Sequence, residues 1–177
     1  KVVMKEATAF IESKTADGFV IKVGEEQVLA KRLIIATGSM PVVPPIPGLK
    51  ENIASGLVLT NKEILDLTTI PESLVVIGGG VIGLEMASYF SSVGTKVTVV
   101  EMLDKIAGPT EKEISAILQK TLERKGVTFN LGCKVTAIES DGVVFEKNGK
   151  SEKITTDKIL LSIGRRAVTQ GIGLENI

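Results

Sequence analysis

A chain of 177 residues can bury one good core, or one domain with parts of another. Lysine plus arginine total 21, and so do aspartate plus glutamate, which excludes a basic face for nucleic acid and a polybasic tail. With no histidine and a single cysteine, Cys133, the chain cannot build a histidine–cysteine zinc site, a histidine-dependent nucleophile or an intrachain disulfide, so no catalytic or metal-binding residue is assigned.

No apolar run reaches the length of a membrane span, and no signal peptide opens the sequence. The lone cysteine fits a reducing, cytoplasmic setting, and Cys133 reads as a small structural residue at a strand edge. The chain starts at Lys1, already inside a β-rich pattern, as expected of a segment of something longer.

Residues 7–13, 18–23, 26–29 and 32–37 read as short strands separated by turn chemistry at Asp17-Gly18 and Gly24. Leu33-Ile34-Ile35-Ala36 is continuously apolar and predicts a central strand, leaving through Thr37-Gly38-Ser39. Pro41, Pro44, Pro45 and Pro47 cannot sit in a helix interior or a central strand, so this stretch reads as a stiff linker at a domain boundary. Thr60 with Glu63 forms a capping-box pattern before a short helix over 61–67.

The stretch from Leu74 to Glu101 organises the rest. An apolar run (Leu74-Val75-Val76-Ile77) meets a glycine turn, an amphipathic segment, a stop at Gly94 and a second β-branched run ending in Glu101. Gly78, Gly80 and Gly83 fit G-x-G-x-x-G within a strand–helix–strand unit, the context that turns this common pattern into a dinucleotide site. Gly78 permits the tight turn, Gly80 lets a pyrophosphate approach the backbone, and Gly83 lets the helix pack on the sheet. Glu101 stands where a carboxylate accepts from both ribose hydroxyls and repels a 2′-phosphate, which favours NAD over NADP. A solvated strand-end acid is the other reading of Glu101.

Beyond it, Thr110 with Glu113 makes a second capping-box pattern. Ile114, Ile117, Leu118 and Leu122 recur at helical steps over residues 111–125, and Gly126 is the stop. Residues 127–131 read as a strand. Residues 134–139, 143–146 and 153–155 read as an antiparallel meander with a strong hairpin turn at Asn148-Gly149, and 159–163 as a buried strand closing in Gly164. The fold class is therefore α/β: a Rossmann-like nucleotide-binding domain over 51–164 with a β-meander, flanked by partial strands and linker over 1–50 and a returning tail over 165–177.

Ala36-Thr37-Gly38-Ser39 with Pro41, Val76-Ile77-Gly78-Gly79-Gly80-Val81-Ile82-Gly83-Leu84-Glu85, Val99-Val100-Glu101 and Ser162-Ile163-Gly164-Arg165-Arg166 occur in one order along the chain. The set resembles the two-dinucleotide-fold flavoprotein disulfide reductases (pyridine nucleotide-disulfide oxidoreductases). Within them it is most similar to the dihydrolipoamide dehydrogenases. The resemblance implies a parent that oxidises dihydrolipoamide through a redox disulfide and FAD to reduce NAD+, a homodimer serving the lipoyl domains of 2-oxo-acid dehydrogenase complexes. It also implies that Gly78, Gly79, Gly80, Val81, Ile82 and Gly83 hold the NAD pyrophosphate and that Glu101 takes the adenosine ribose. Val135 would lie beside adenine, Gly164 at the nicotinamide end, Glu85 where nicotinamide meets flavin, and Gly38 in the FAD domain. An ordinary acid in the first helical turn is an equal reading of Glu85.

Two features depart from that pattern. Arg166 is followed by Ala167-Val168 where the family has Gly-Arg-x-Pro-Asn. The amino-terminal FAD fingerprint, the cysteine pair and the carboxy-terminal histidine base are missing, so this segment is expected to bind NAD(H) weakly and to turn nothing over. The alternatives are an NADH oxidase, a mercuric reductase, an NADP-dependent disulfide reductase, or a non-catalytic nucleotide-binding module.

Overall fold

Turn residues at Asp17-Gly18 and Gly24 divide the first elements. Ala9–Thr15 (β1), Gly18–Val23 (β2) and Glu26–Ala30 (β3) form a three-stranded antiparallel sheet in which β2 is central and β1 carries a bulge between Ile11 and Ser13. Ser39–Pro41 (β4) follows after a gap in which the predicted central strand is absent. Leu33 to Ala36 form no strand, and Ile34 is 89% exposed. An all-apolar strand needs neighbours and cover on both faces, and no strand of this chain lies alongside these residues.

The structure is a computed structural model that describes all 177 residues and divides into two units, Lys1–Met40 with Arg166–Ile177, and Pro41–Arg165. The proline-rich stretch, read as a linker, belongs to the larger unit. Pro47 C=O accepts from Ile138 N–H at 2.9 Å, and Ile46 packs on a core cluster. Gly48 then opens a short helix, Leu49–Ala54 (α1), followed by the two-residue strand Val58–Leu59 (β5); both are too short for periodicity to reveal. At the Thr60–Glu63 box the Glu63 carboxylate accepts from the Thr60 N–H and hydroxyl, but it starts only a 3₁₀ turn, Glu63–Asp66, rather than the longer helix expected.

Ser73–Ile77 (β6), Val81–Ser92 (α2), Lys96–Val100 (β7), Lys112–Arg124 (α3) and Thr128–Asn130 (β8) form consecutive strand–helix–strand units. Lys134–Glu139 (β9), Gly142–Lys147 (β10) and Lys150–Thr155 (β11) are the antiparallel meander, and Lys158–Leu161 (β12) returns to the parallel sheet. Arg165–Ala167 (β13) pairs with β4 as a separate two-stranded sheet.

The parallel sheet has the order β5-β12-β6-β7-β8. Its three inner strands, β12, β6 and β7, are apolar at most positions because both faces are covered. Leu74, Val76, Val97, Val99 and Leu160 face one core with Leu84, Ala87 and Phe90 of α2 and Leu122 of α3. Val75, Ile77, Val100, Ile159 and Leu161 face the other with Leu49 of α1 and Ile138, Val143 and Phe145 of the meander. At the amino ends of β6 and β12, the Asp157 carboxylate accepts from Ser73 N–H and Oγ at 2.9 and 3.0 Å, fixing their register.

α3 departs from expectation. Its first residue follows Glu111, with no side-chain cap, so the Thr110–Glu113 box does not form. Only Ser115 and Leu122 of the helix are buried, while Ile114 and Ile117 are exposed. Ahead of the helix, the Lys105 ammonium donates to the carbonyls of Gly108 and Thr110.

Candidate functional site

The site is built where the sheet order reverses. From β6 the chain moves to β7 and β8 on one side, while β12 lies on the other. Ile77 sits opposite both Val100 and Leu161, so the three carboxyl ends deliver Gly78, Glu101 and Ser162 to one crevice. Such a switch point is where open α/β sheets bind ligands. Gly78 N–H donates to Val100 C=O at 2.9 Å, and Ser162 N–H to Ile77 C=O at 2.8 Å, so the crevice floor is tied to both neighbouring strands.

Two of the three motif glycines, Gly78 and Gly83, have a measurable steric reason. Gly78 adopts φ 105°, and a Cβ there would lie 2.3 Å from Ser162 C=O. A Cβ on Gly83 would lie 2.4 Å from Gly78 C=O, so the helix can approach the turn only without one. A Cβ on Gly80 would meet no atom within 4 Å, so its face toward the crevice is bare. No side chain caps α2, whose start therefore offers uncapped N–H groups and the positive end of the helix dipole.

A cleft of about 580 Å³ joins Gly78, Gly80, Glu101, Val135 and Gly164, five of the residues singled out from the sequence. A smaller hollow of about 190 Å³ shares Gly80 and Gly164 and adds Val81 and Ile82. Gly79 faces inward, against Glu101 and Ile106, and Gly83 is buried beneath the turn. Glu85 is exposed on α2 and lines neither space. Gly38 lies in the other unit, where its C=O accepts from Val168 N–H at 3.0 Å.

Glu101 is held by the backbone. Its Oε2 accepts from Gly79 N–H at 2.5 Å and its Oε1 from Leu103 N–H at 2.8 Å. A carboxylate has about four acceptor positions, so roughly two remain for a ligand. Cys133 is 1% exposed, donates to Leu131 C=O at 3.2 Å, and burial pushes its thiol up from the ordinary cysteine range, so it stands as a protonated wall residue.

Sequence reasoning missed several walls of the larger cleft. Met102, Lys134 and Ile163 are immediate neighbours of residues it did single out and Leu103 lies two positions past Glu101, so adjacency was the available signal. Pro44 and Ile46 arrive from the proline-rich stretch, and nothing local marks them. In the smaller hollow, Arg165 donates to Asn61 Oδ1 at 2.6 Å across 104 positions of sequence. The arrangement suits a ligand with an anionic centre at the helix tip, a diol facing the acid, and flat apolar groups against the walls.

Comparison with known proteins places the chain in a family. The chain is 42% identical over 158 residues to a dihydrolipoyl dehydrogenase of Acholeplasma laidlawii, covering 88% of this chain and 47% of that protein. It is 45% identical over 161 residues to a dihydrolipoamide dehydrogenase of Chaetomium thermophilum, covering 87% and 31%. Among solved structures, the HOCl-induced flavoprotein disulfide reductase of Escherichia coli, as its Cu(II) complex, superposes with a TM-score of 0.79 at 27% identity, covering 96% of this chain and 38% of that one. The chain thus spans less than half the length of these relatives. The pyridine nucleotide-disulphide oxidoreductase family matches residues 1–177, and the chain belongs to that family.

Proposed function

We propose that this chain is the NAD(H)-binding portion of a flavoprotein dihydrolipoamide dehydrogenase. The observation that carries the reading is the single cleft joining a bare glycine turn at a helix tip to the Glu101 carboxylate. The open face of Gly80 and the uncapped start of α2 suit the pyrophosphate, which needs close approach and N–H donors. Glu101 takes the ribose diol, and its charge disfavours a 2′-phosphate. Val135 and its neighbours cover the adenine, and Gly164 borders the nicotinamide end.

When bound, NAD+ supplies the hydride acceptor; this chain's residues bind it, orient it and exclude water from its apolar walls. In the parent, electrons pass from dihydrolipoamide through a disulfide and FAD, with residues 1–40 and Gly38 contributing to the FAD side. A homodimer, lipoyl-domain partners and a cytoplasmic location belong to the same reading. No helix is long and apolar enough to cross a membrane.

Calorimetric titration with NADH and NADPH tests the assignment. The wild-type chain is expected to prefer NADH, and Glu101→Arg to lose roughly tenfold or more of that affinity through the lost ribose hydrogen bonds. A wild-type preference for NADPH would refute it.

A further inference from the structure

The loop that follows β7 borders the larger cleft twice. Met102 and Leu103 line it where the loop leaves the sheet, and Gly108 lines it again farther on. Between them the chain turns back on itself through a disfavoured backbone. Ala107 adopts φ 61° and Gly108 φ 52°, two left-handed residues in succession, and Ala107 carries the Cβ that this region opposes. A single backbone hydrogen bond closes the turn, from Thr110 N–H to Ala107 C=O at 3.2 Å.

The root of the loop is well tied. Ile106 is fully buried and its C=O accepts from the buried Ser115 hydroxyl at 2.8 Å. Ala107 N–H donates to Gly79 C=O, and Gly132 N–H to Leu103 C=O, both at 2.8 Å. The tip is held differently. No backbone hydrogen bond reaches Gly108. Its C=O accepts instead from the half-buried ammonium of Lys105, which also donates to Thr110 C=O at 2.6 Å. One cation thus joins two carbonyls of the strained turn through charge-assisted hydrogen bonds, which are stronger than neutral ones.

We propose that Lys105 is a positioning residue for nucleotide binding: its ammonium locks the turn at Ala107 and Gly108 and so presets the wall of the cleft at the adenosine end. This deepens, and rests on, the NAD(H) reading above. Without the ammonium the turn relaxes, and a nucleotide must reorder Gly108 and its neighbours as it binds, so affinity falls for any ligand that fills this end. The core beneath keeps its side chains, since Ile106 and Ala107 are not altered.

The test compares wild type, Lys105→Met and Lys105→Arg by calorimetric titration against NADH and ADP-ribose, with urea unfolding and amide exchange of the same chains. Lys105→Met is expected to lose roughly tenfold in affinity for both ligands, since both carry the adenosine end, with its urea midpoint nearly unchanged. Lys105→Arg, which keeps the charged donors, is expected to recover to within about threefold of wild type. Without nucleotide, exchange at Thr110 N–H is expected to quicken in Lys105→Met while β6 and β7 stay protected, and bound NADH is expected to slow it again. Affinity of Lys105→Met within about twofold of wild type, unchanged exchange at Thr110, or a loss of affinity shared with a lower urea midpoint and faster exchange in β6 and β7 would each overturn the proposal and leave the cofactor assignment standing. A wild-type chain that binds neither ligand would sink the NAD(H) reading and the positioning role with it.

Discussion

At the residue scale, the glycine turn separates three demands that the motif pattern lumps together. Gly78 answers a backbone conformation, Gly80 an open approach, and Gly83 the contact between helix and turn. Gly83→Ala tests the last of these. Its Cβ would meet the Gly78 carbonyl, a backbone atom that the sheet holds in place, so the variant is expected to lose about 1–3 kcal/mol of stability in urea unfolding. The same substitution at Gly80 meets open space and is expected to leave the unfolding midpoint nearly unchanged while weakening nucleotide binding. The spacing of these glycines was legible in the sequence because it follows a known strand–turn–helix pattern, although the atom that Gly78 avoids, Ser162 C=O, lies far along the chain. The inward packing of Gly79 was not, because it needs Ile106 brought back by the loop after β7.

At the element scale, burial rather than periodicity decides what a helix contributes. Residues 111–125 show a clear apolar stripe, yet Leu122 is 3% exposed and Ile114 is 54% exposed. Leu122→Ala is expected to cost about 2–5 kcal/mol, and Ile114→Ala less than about 1 kcal/mol, in parallel chemical unfolding curves. Equal costs would mean that the stripe is covered in solution.

The meander offers a charge test. Lys153 donates to Glu139 and Asp141 at 2.7 and 2.6 Å. The Lys153 hydrogen bond holds the Asp141 carboxyl below its ordinary value, and the two carboxylates raise the Lys153 ammonium, Asp141 first. The stabilisation is therefore present above the ordinary aspartate range and lost as pH falls through the depressed Asp141 value. On the alkaline side it fades as pH rises through the raised Lys153 value. All three groups are on the surface, so the effect is small and screened by salt. Lys153→Ala is expected to lower Tm slightly at neutral pH and low salt, with the difference from wild type vanishing at strongly acidic pH or in high salt.

At the scale of the whole molecule, the two units differ in how much core they own. Every member of the two core clusters lies in residues 41–165. In the other unit Ile11 is the one buried hydrophobic, whereas Val2, Val3, Met4, Leu29 and Ile34 are exposed. Residues 41–165 alone are therefore expected to unfold cooperatively and to bind NADH within about threefold of the full chain. Hydrogen exchange in the full chain is expected to be slow in β6, β7 and β12 and fast in β1 to β3. Failure of 41–165 to fold would show that residues 1–40 or 166–177 complete its core.

The amino-acid sequence by itself determined the strand–helix–strand unit, the meander, the glycine turn and the position of the acid, because each rests on contacts a few residues apart and on strand periodicity. The tertiary structure alone decided three other things: that Leu33 to Ala36 form no strand, that α3 leaves much of its apolar stripe to solvent, and that Pro44, Ile46 and Cys133 wall the cleft. Each depends on which surfaces meet across the sheet. Hydrophobic residues state only that they favour cover; the packing of distant segments decides whether they receive it.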